Sequence, residues 1–542
     1  MPLPFFVLFH GAFAYLLVGN SAERKKDMQN EYKPTQKDTV TENVFTECSE
    51  DFILPDYMPE IRRILRLETR LLGGDSFRSG GKADFEGCVL YTLFYTDNEE
   101  KLTAVPLESR YRYELPTGAV SPLFVYSEEA VEGVHMRPSG PRRLSIRTKI
   151  RATVHTVTEE PMQKSLSELL PEGGKGAECL YKHTRIALRA HAKTESAESE
   201  AVFTLEGKDK EALRPLYAYA EPHIEKASAE GGHILFGGTV SITVLIEDGE
   251  ELLTLSRRVP FEDATVADCR EGDSVMAKGA CHSVSLSLEQ MGEDVQVRAS
   301  ARCALEAVCE RNEELSVLSD AYLTEKALSL SYKPLTVTSF AGGFSGGFTV
   351  EGECPIEEDA LVPLTCVSVK DASLSWEGKR AVVTGEGRAE LLCYGKEADE
   401  EKKHFYAKDF TFPFRIEAES SEGVLPTDKK SFTLTPALAE ATVQGGRAHV
   451  SCEMMLTLHA ARESAYSVPE SAAVLSREAR ASDTVAIYYP SDKDSLWSVG
   501  KAYGISPTLL AEQNGIETDE EIALDDTKSL DGIAWLFASK IS

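Results

Sequence analysis

The chain has 542 residues, of which 88 are Asp or Glu and 58 are Lys or Arg, so its formal net charge is −30. This charge argues against a nucleic-acid binder, because a phosphate backbone would be repelled, and it disfavours docking of the whole chain on an anionic membrane. The length suits about three or four domains, and a hydrophobic content of 42% is typical of globular protein.

Residues 1–27 form an apolar leader in which the uncharged run 4–19 precedes Arg24, Lys25 and Lys26. A secretory signal carries its positive charges before the apolar core, and a spanning helix needs about 20 residues. Two interpretations are open: translation begins at Met28 and the leader is a misassigned start, or the run anchors the chain to a membrane. Both predict a body that stays in the cytoplasm.

The eleven cysteines contain no C-x-x-C pair, and the eleven histidines show no spacing typical of a zinc site. Several cysteines lie in alternating apolar runs, as Cys452 does. We interpret them as reduced, buried side chains of a cytosolic protein, and we expect neither a metal nor a cofactor.

A repeat of about 150 residues organises most of the chain. Each copy has a short strand, a glycine at 87, 237 or 385, an alternating strand, a charged turn and a strand that runs into proline. A second alternating strand follows each glycine, at residues 144–154, 295–305 and 448–456. The predicted fold is mainly β, with modules at 28–165, 166–322 and 323–476, a linker at 477–484, and a small α+β tail at 485–540.

The charges of Arg147, Arg298 and Glu453 fall on the outward positions of the second strands and predict one solvated sheet face. A domain used three times is typical of a binding scaffold, because similar surfaces can engage a partner repeatedly. Simple duplication with one active copy is the open alternative.

Residues 54–65 read LPDYMPEIRRIL. Pro59 suits the first turn of a helix, and Ile61, Ile64 and Leu65 share one helical face. The pattern predicts a short helix packed on the sheet, with a related piece before the third copy at 354–364.

No motif predicts catalysis. Residues 343–347 match G-x-S-x-G, but a strand-like segment follows them where a nucleophile elbow needs a helix, so we expect a flexible loop there. The GGKG at 173–176 lacks the spacing of a phosphate loop. The acidic run at 397–403 is typical of a solvated hairpin turn.

The tail contains the sequence DSLWSVGKAYGISPTLL at 494–510. Asp494 or Ser495 can cap a first helix, which Gly504 ends. Ser506 can cap a second helix that has Pro507 at its first position. A strand at 485–490 and a final strand within 532–538 complete a predicted β-α-α-β unit.

The tail resembles the LysM domain in its D-S-L-W opening, Tyr503, the two leucines at 509–510 and Asn514. It departs from the family at Lys493, where glycine is usual, and in its closing strand. LysM domains commonly bind N-acetylglucosamine polymers such as peptidoglycan. The resemblance implies a groove formed by the following residues: Asp494, Ser495, Leu496, Asn514, Gly515 and Ile516.

The motif at 54–65 and the strands after each repeated glycine resemble the SPOCS domain, formerly a domain of unknown function. SPOCS modules followed by LysM are similar to a family of spore-coat morphogenetic proteins. The resemblance implies a non-enzymatic adaptor in the mother-cell cytoplasm that binds a coat-basement ATPase of the stage IV sporulation class and localises coat around the forespore.

Aromatic and arginine side chains usually anchor interfaces, so the candidates for partner contact are Tyr57, Arg62, Trp497 and Tyr503. Each is also a candidate core residue, Trp497 above all. A peptidoglycan-binding envelope protein, anchored by its leader, is the alternative function, and an enzyme with a site between repeats is a third.

Overall fold

The computed structural model describes most of the chain from residue 35 onward. The described residues are 35–79, 81–117, 122–160, 163–164, 166–170, 176–249, 251–377, 380–395, 404–419, 424–478, 486–491, 494–516, 530, 533 and 536–539. The predicted leader, most of the GGKG segment and the acidic run at 397–403 lie outside them. No helix in the described part is both long and apolar enough to cross a membrane.

The first module consists of two antiparallel sheets. Its strands are β1 (Thr35–Ile53), β2 (Arg63–Leu72), β3 (Ser76–Ser79), β4 (Lys82–Thr96), β5 (Leu102–Pro116), β6 (Phe124–Gly140) and β7 (Arg143–Glu160). One sheet has the order β1-β7-β6, and in the other β4 lies between β5 and the pair β2 and β3. The middle strand of each sheet is therefore β7 or β4.

The second and third modules repeat this connectivity with six strands each. The second module follows helix α1 (Leu166–Leu169) and contains β8 (Ala177–Leu205), β9 (Leu213–Glu230), β10 (His233–Asp248), β11 (Glu251–Val266), β12 (Ser274–Met291) and β13 (Asp294–Leu323). The third contains β14 (Lys326–Pro355), β15 (Leu361–Glu377), β16 (Arg380–Gly395), β17 (His404–Glu419), β18 (Lys429–Gln444) and β19 (Arg447–Glu478). The sheet orders are β12-β13-β8, β11-β10-β9, β14-β19-β18 and β15-β16-β17.

The mainly β fold is confirmed, and its origin is the alternation of apolar and polar residues. The three strands predicted from period-two patterns are parts of β7, β13 and β19, each the middle strand of its sheet. In β13 every second residue is buried, at positions 295, 297, 299, 301, 303 and 305. These side chains fill the space between the two sheets of the module, as in a β-sandwich. Arg147 and Arg298 are exposed as predicted, whereas Glu453 pairs with Arg258 of the second module.

Each module places a glycine of its middle strand opposite a buried aromatic ring. Gly87 is the cross-strand partner of Tyr111, and Gly385 is the partner of Phe414. In the second module the partner of Phe261 is Gly238, not the predicted Gly237. The sequence has two adjacent glycines there, and only the packing distinguishes them. A Cβ on Gly238 would lie 2.0 Å from the His223 carbonyl oxygen, whereas a Cβ on Gly237 would have no atom within 4 Å.

The helix predicted at 54–65 is wrong. Residues 55–58 form a turn, and β2 begins at Arg63. The backbone N–H groups of Leu54, Ile61 and Arg62 donate to carbonyls of Arg142, Pro141 and Thr96, so distant strands satisfy the groups that a helix would pair internally. At the corresponding place, the second module has only a 3-10 turn at Lys210–Ala212. The related piece predicted at 354–364 is not a helix either, because it consists of the end of β14, a turn at 358–359 and the start of β15.

The segment with the G-x-S-x-G match lies inside β14, so the flexible loop predicted there is also wrong. Residues 343–347 pair along their length with β19. All eleven cysteines are free, and seven of them are buried.

The second sheets of the three modules meet in one shared apolar cluster. Its buried members are Phe94, Leu102, Leu245, Leu364, Leu392 and Phe405. Because each module contributes to this cluster, the modules pack as one body.

Alanine at Gly238 should destabilise the second module, whereas alanine at Gly237 should not. The added methyl at 238 meets the His223 carbonyl at 2.0 Å and forces β9 away from β10. We expect the free energy of unfolding from urea denaturation to fall by about 2 kcal/mol or more for G238A. A shift of the same size in G237A would contradict the packing described.

Candidate functional site

The tail has the predicted β-α-α-β order: β20 (Ala486–Tyr488), α2 (Leu496–Tyr503), α3 (Pro507–Gln513) and β21 (Leu536–Ala538). The two strands pair antiparallel. Ser495 caps α2 in a capping box: its hydroxyl accepts from the Ser498 backbone N–H, and the Ser498 hydroxyl accepts from the Ser495 backbone N–H. Gly504 ends α2 with φ 65°, and Ser506 caps α3. The local signals in the sequence therefore fix this unit.

Asp494 holds the loop between β20 and α2. Its Oδ2 accepts hydrogen bonds from the Ser491 backbone N–H at 2.8 Å, from the Ser491 hydroxyl at 2.9 Å and from the Tyr488 hydroxyl at 2.8 Å. The bonds from Ser491 and Tyr488 hold the pKa of Asp494 below its usual range. Leu496 is buried in the tail core. The first three predicted groove residues thus have structural contacts of their own.

Asn514 joins the end of α3 to β21. Its Nδ2 donates to the carbonyls of Leu510 and Phe537 at 2.7 Å each, and its Oδ1 accepts from the Phe537 N–H. Gly515 is exposed with φ 63°, and Ile516 packs partly on the tail core. The structure brings the two predicted segments together through that core, with Gly515 as the exposed member.

Trp497 attaches the tail to the second module and is only 3% exposed. Its ring packs edge-on against Tyr322 with centroids 4.9 Å apart, and its Nε1 donates to Asp320 at 3.0 Å. Lys501 also donates to Asp320, and the Tyr322 hydroxyl donates to the carbonyl of Ile505 at 2.7 Å. The Trp497 side chain is therefore buried against the chain's own residues. This is the core role that the sequence left open for it.

Burial alone would raise the pKa of Asp320, but hydrogen bonds from Lys501, Tyr332 and Trp497 outweigh it and hold the pKa below its ordinary value. Sequence reasoning missed Asp320, since an acidic residue in a strand that ends a module carries no signal of a partner 177 residues away.

The other predicted contact residues differ in exposure. Tyr57 is 83% exposed on its turn, which Arg142 supports by donating to the carbonyl of Pro55 at 3.0 Å. Arg62 is half-exposed and pairs with Glu100 at 2.8 Å. Tyr503 is half-buried, with its ring edge-on to Tyr488.

A chain of largely buried polar side chains, which we call the polar junction, links the three modules. It runs from Asp38 in the first module through Arg189 and Glu310 in the second to His459 in the third. His459 Nε2 lies 2.6 Å from Glu310 Oε2, and Glu310 is 1% exposed. Burial would raise the pKa of Glu310, but the hydrogen bond with His459 and the charge of Arg189 lower it overall.

His155, Glu306 and His459 occupy equivalent places, each twelve residues after the first residue of its middle strand. His155 Nδ1 lies 3.0 Å from Asp38 Oδ2, and Glu306 Oε1 lies 2.7 Å from the Nε2 of His191. The Tyr126 ring stacks between His155 and His191. The equivalent strand position is therefore a histidine in the first and third modules and a glutamate in the second.

A cleft of about 1250 Å³ opens between the modules. Strands of all three line it: β2 and β6, β9 and β12, and β15 to β18. Within the described residues, no cluster of three His, Cys, Asp or Glu side chains has the arrangement of a metal site. The sequence analysis did not foresee this cleft, because it depends on how the modules pack.

Comparisons with known proteins found no matching family model, no similar curated protein and no similar solved structure. The SPOCS and LysM assignments therefore stay predictions.

Replacing Asp320 with asparagine should release the tail. Lys501 loses its ionic partner and the Trp497 indole its charged acceptor, which together cost about 1–3 kcal/mol. We expect Trp497 emission to shift to longer wavelength, measured in a chain whose other tryptophans are phenylalanine. D371N, a matched change at an exposed site on β15, should leave the emission unchanged.

The pH dependence of docking follows from the lowered pKa of Asp320. A carboxyl with a depressed pKa stabilises the folded form above its unfolded pKa, and this contribution disappears as the pH falls through the folded value. The wild-type emission should therefore stay constant at pH 5 and shift only below pH 3.8, the ordinary value. A midpoint near pH 6 would contradict the role of Asp320.

Replacing Glu310 with glutamine should loosen the whole body. Arg189 and His459 would both lose the carboxylate that they contact, and removing one partner of a buried ion pair costs about 3 kcal/mol. Urea denaturation should show this loss for E310Q, whereas E314Q, on the same strand at an exposed site, should change the unfolding free energy by less than about 0.5 kcal/mol. Equal midpoints for the two variants would contradict the junction.

Proposed function

We propose that this chain is a non-enzymatic adaptor that binds a spore-coat morphogenetic ATPase of the stage IV sporulation class and helps localise coat around the forespore. The SPOCS-like and LysM-like motifs identify the class of partner. The body of three packed sandwiches supplies a rigid support for contact surfaces, as an adaptor requires.

The exposed face of the docked tail is the observation on which the proposal depends most. Ile487 of β20 and Tyr489, one residue beyond that strand, are 60% and 73% exposed. They stay exposed although Trp497 is buried against the second module. Exposed aromatic and aliphatic side chains held on a fixed support are typical of a protein-binding surface.

Tyr57 supplies a second candidate contact. It is 83% exposed on a turn that Arg142 supports, and burial of an aromatic side chain against a partner is favourable. The repeated architecture favours several such contacts on one partner, and linked contacts raise the overall affinity.

The residues predicted for glycan binding support a protein partner better than a glycan. Asp494 and Asn514 direct their polar atoms to the tail itself, and Leu496 is buried. A sugar groove needs free hydrogen-bonding groups beside an accessible apolar surface. Peptidoglycan binding, which would place the chain in the cell envelope, stays the alternative and has its own outcome in the test.

Alanine at Tyr489 and at Tyr57 should each weaken the binding of the purified ATPase about tenfold, measured by biolayer interferometry on the full chain. Loss of one buried aromatic contact costs about 1–2 kcal/mol, which gives this factor. V266A, at a 75% exposed apolar residue on β11, is the control and should bind normally.

Unchanged binding by both variants would move the contact elsewhere, and no binding by the wild-type chain would refute the adaptor function. Sedimentation of the chain with insoluble peptidoglycan, abolished by a bulky substitution such as G515W, would favour the envelope alternative.

A further inference from the structure

The cleft between the modules presents strand edges. Six consecutive residues of β2, 66–71, and seven of β15, 364–370, line it. Only alternate residues of a strand would line a space that faces one side of its sheet. Consecutive lining therefore means that both strands turn their edges toward the cleft.

These edges have unpaired backbone groups. In the described part of the chain, β2 pairs along one side only, with β4, and β15 pairs along one side only, with β16. The backbone N–H and C=O groups on the other side of each strand have no ladder partner. Proteins normally cover or blunt such an edge, because it is a template for another strand.

One carboxylate of the cleft has no ionic partner. Nine charged side chains line the space, and eight of them are in ion pairs: Arg66, Glu68, Arg70, Glu132, Lys370, Arg388, Glu390 and Asp409. The ninth is Glu221 on β9, for which the described residues supply neither an ion pair nor a hydrogen bond.

Arg70 is near Glu221, but three of its five N–H donors are used elsewhere. Its Nε and Nη2 donate to Glu68 Oε1, and its Nη1 donates to the carbonyl of Ala220. The Glu68 Oε2 accepts from Tyr217 at 2.7 Å. Glu221 is thus a half-buried acidic group beside an arginine that makes no hydrogen bond to it, and a cation entering the cleft would complete the pairing.

We propose that the cleft binds an extended peptide segment of another protein, which adds a strand to the edge of β2 and places a lysine or arginine side chain at Glu221. The volume of about 1250 Å³ exceeds that of most small-molecule pockets. Six residues of β2 span about 20 Å, the length of an ordinary strand. Val134, Met136 and Val367 supply apolar contacts for the remaining side chains.

This site is separate from the contact surfaces of the proposed adaptor and does not depend on that function. Strand addition takes its affinity from main-chain hydrogen bonds and its specificity from side-chain pockets. The segment is therefore selected by one basic residue among β-forming neighbours.

The test uses the full chain and a labelled nonapeptide of alternating threonine and valine with a central lysine, followed by fluorescence anisotropy. The peptide should bind with a Kd below 1 mM. Glutamine in place of its lysine, or E221Q in the protein, should weaken binding about tenfold, and the two changes together should have no further effect. E225Q, on the exposed part of β9, is the matched control and should bind normally.

Two further readouts separate edge pairing from simple charge attraction. Methylation of alternate backbone nitrogens of the peptide removes its donors and should abolish binding. Bound peptide should also slow alkylation of Cys281 and Cys366, which line the cleft, and leave the rates of Cys88 and Cys179, which do not, unchanged.

The pH profile supplies a signature of Glu221 itself. Burial raises its pKa to about 7, Arg70 lowers it and Glu68 raises it. Binding should strengthen from pH 6 to pH 8 as the carboxyl ionises, and E221Q should lose this dependence. The other titratable groups near it are Tyr219, Cys303 and Cys452, whose pKa values are raised and which stay neutral over this range, and Cys281, whose thiol pKa is lowered. The C281S variant, whose thiol pKa is lowered in the wild type, should keep the wild-type profile.

Equal affinity of E221Q and wild type would overturn the proposal, as would equal binding of the methylated peptide. The absence of binding by the lysine peptide at 1 mM would also overturn it. None of these outcomes bears on ATPase binding, which is measured with a different ligand.

Discussion

The contacts of the polar junction impose the main constraint on this structure. Asp38, Arg189, Glu310 and His459 come from three modules, and their contacts form only when all three are in place. A buried ion pair is a modest source of stability, but leaving one of its members unpaired is costly. The apolar cluster supplies the attraction between modules, and the junction requires that they meet in one arrangement. The cleft between the modules depends on that arrangement.

Much of the fold could be predicted from local patterns. Period-two alternation identified the middle strands, and the serine, glycine and proline signals located both tail helices, because these features act over a few residues. The helix at 54–65 could not be judged in this way. Its apolar spacing suits a helix, but its backbone groups find partners in Pro141, Arg142 and Thr96, which local sequence does not reveal. The choice between Gly237 and Gly238 likewise depends on a carbonyl in the neighbouring strand.

The candidate sites divide along the same line. Ser495 and Leu496 were identified as important, yet their contacts stabilise the tail, and Trp497 binds the second module. Asp320 and Glu221 were not identified. An acidic residue is ordinary in a chain with 88 of them, and its role appears only when the strands that face it are known. Tyr57, in contrast, was selected because aromatic side chains often anchor interfaces, and it is exposed, although on a turn and not on the predicted helix.

The alternation of His155, Glu306 and His459 at one strand position bears on how the chain avoids assembling with itself. Copies of one domain that lie side by side on a polypeptide can exchange places, or can pair with a copy on another chain. Because the ionisable groups at this position differ between copies, such exchanges are unfavourable. A carboxylate would face another carboxylate, or a histidine would lose its carboxylate partner. The different residues at this position therefore favour one order of the three copies within the chain.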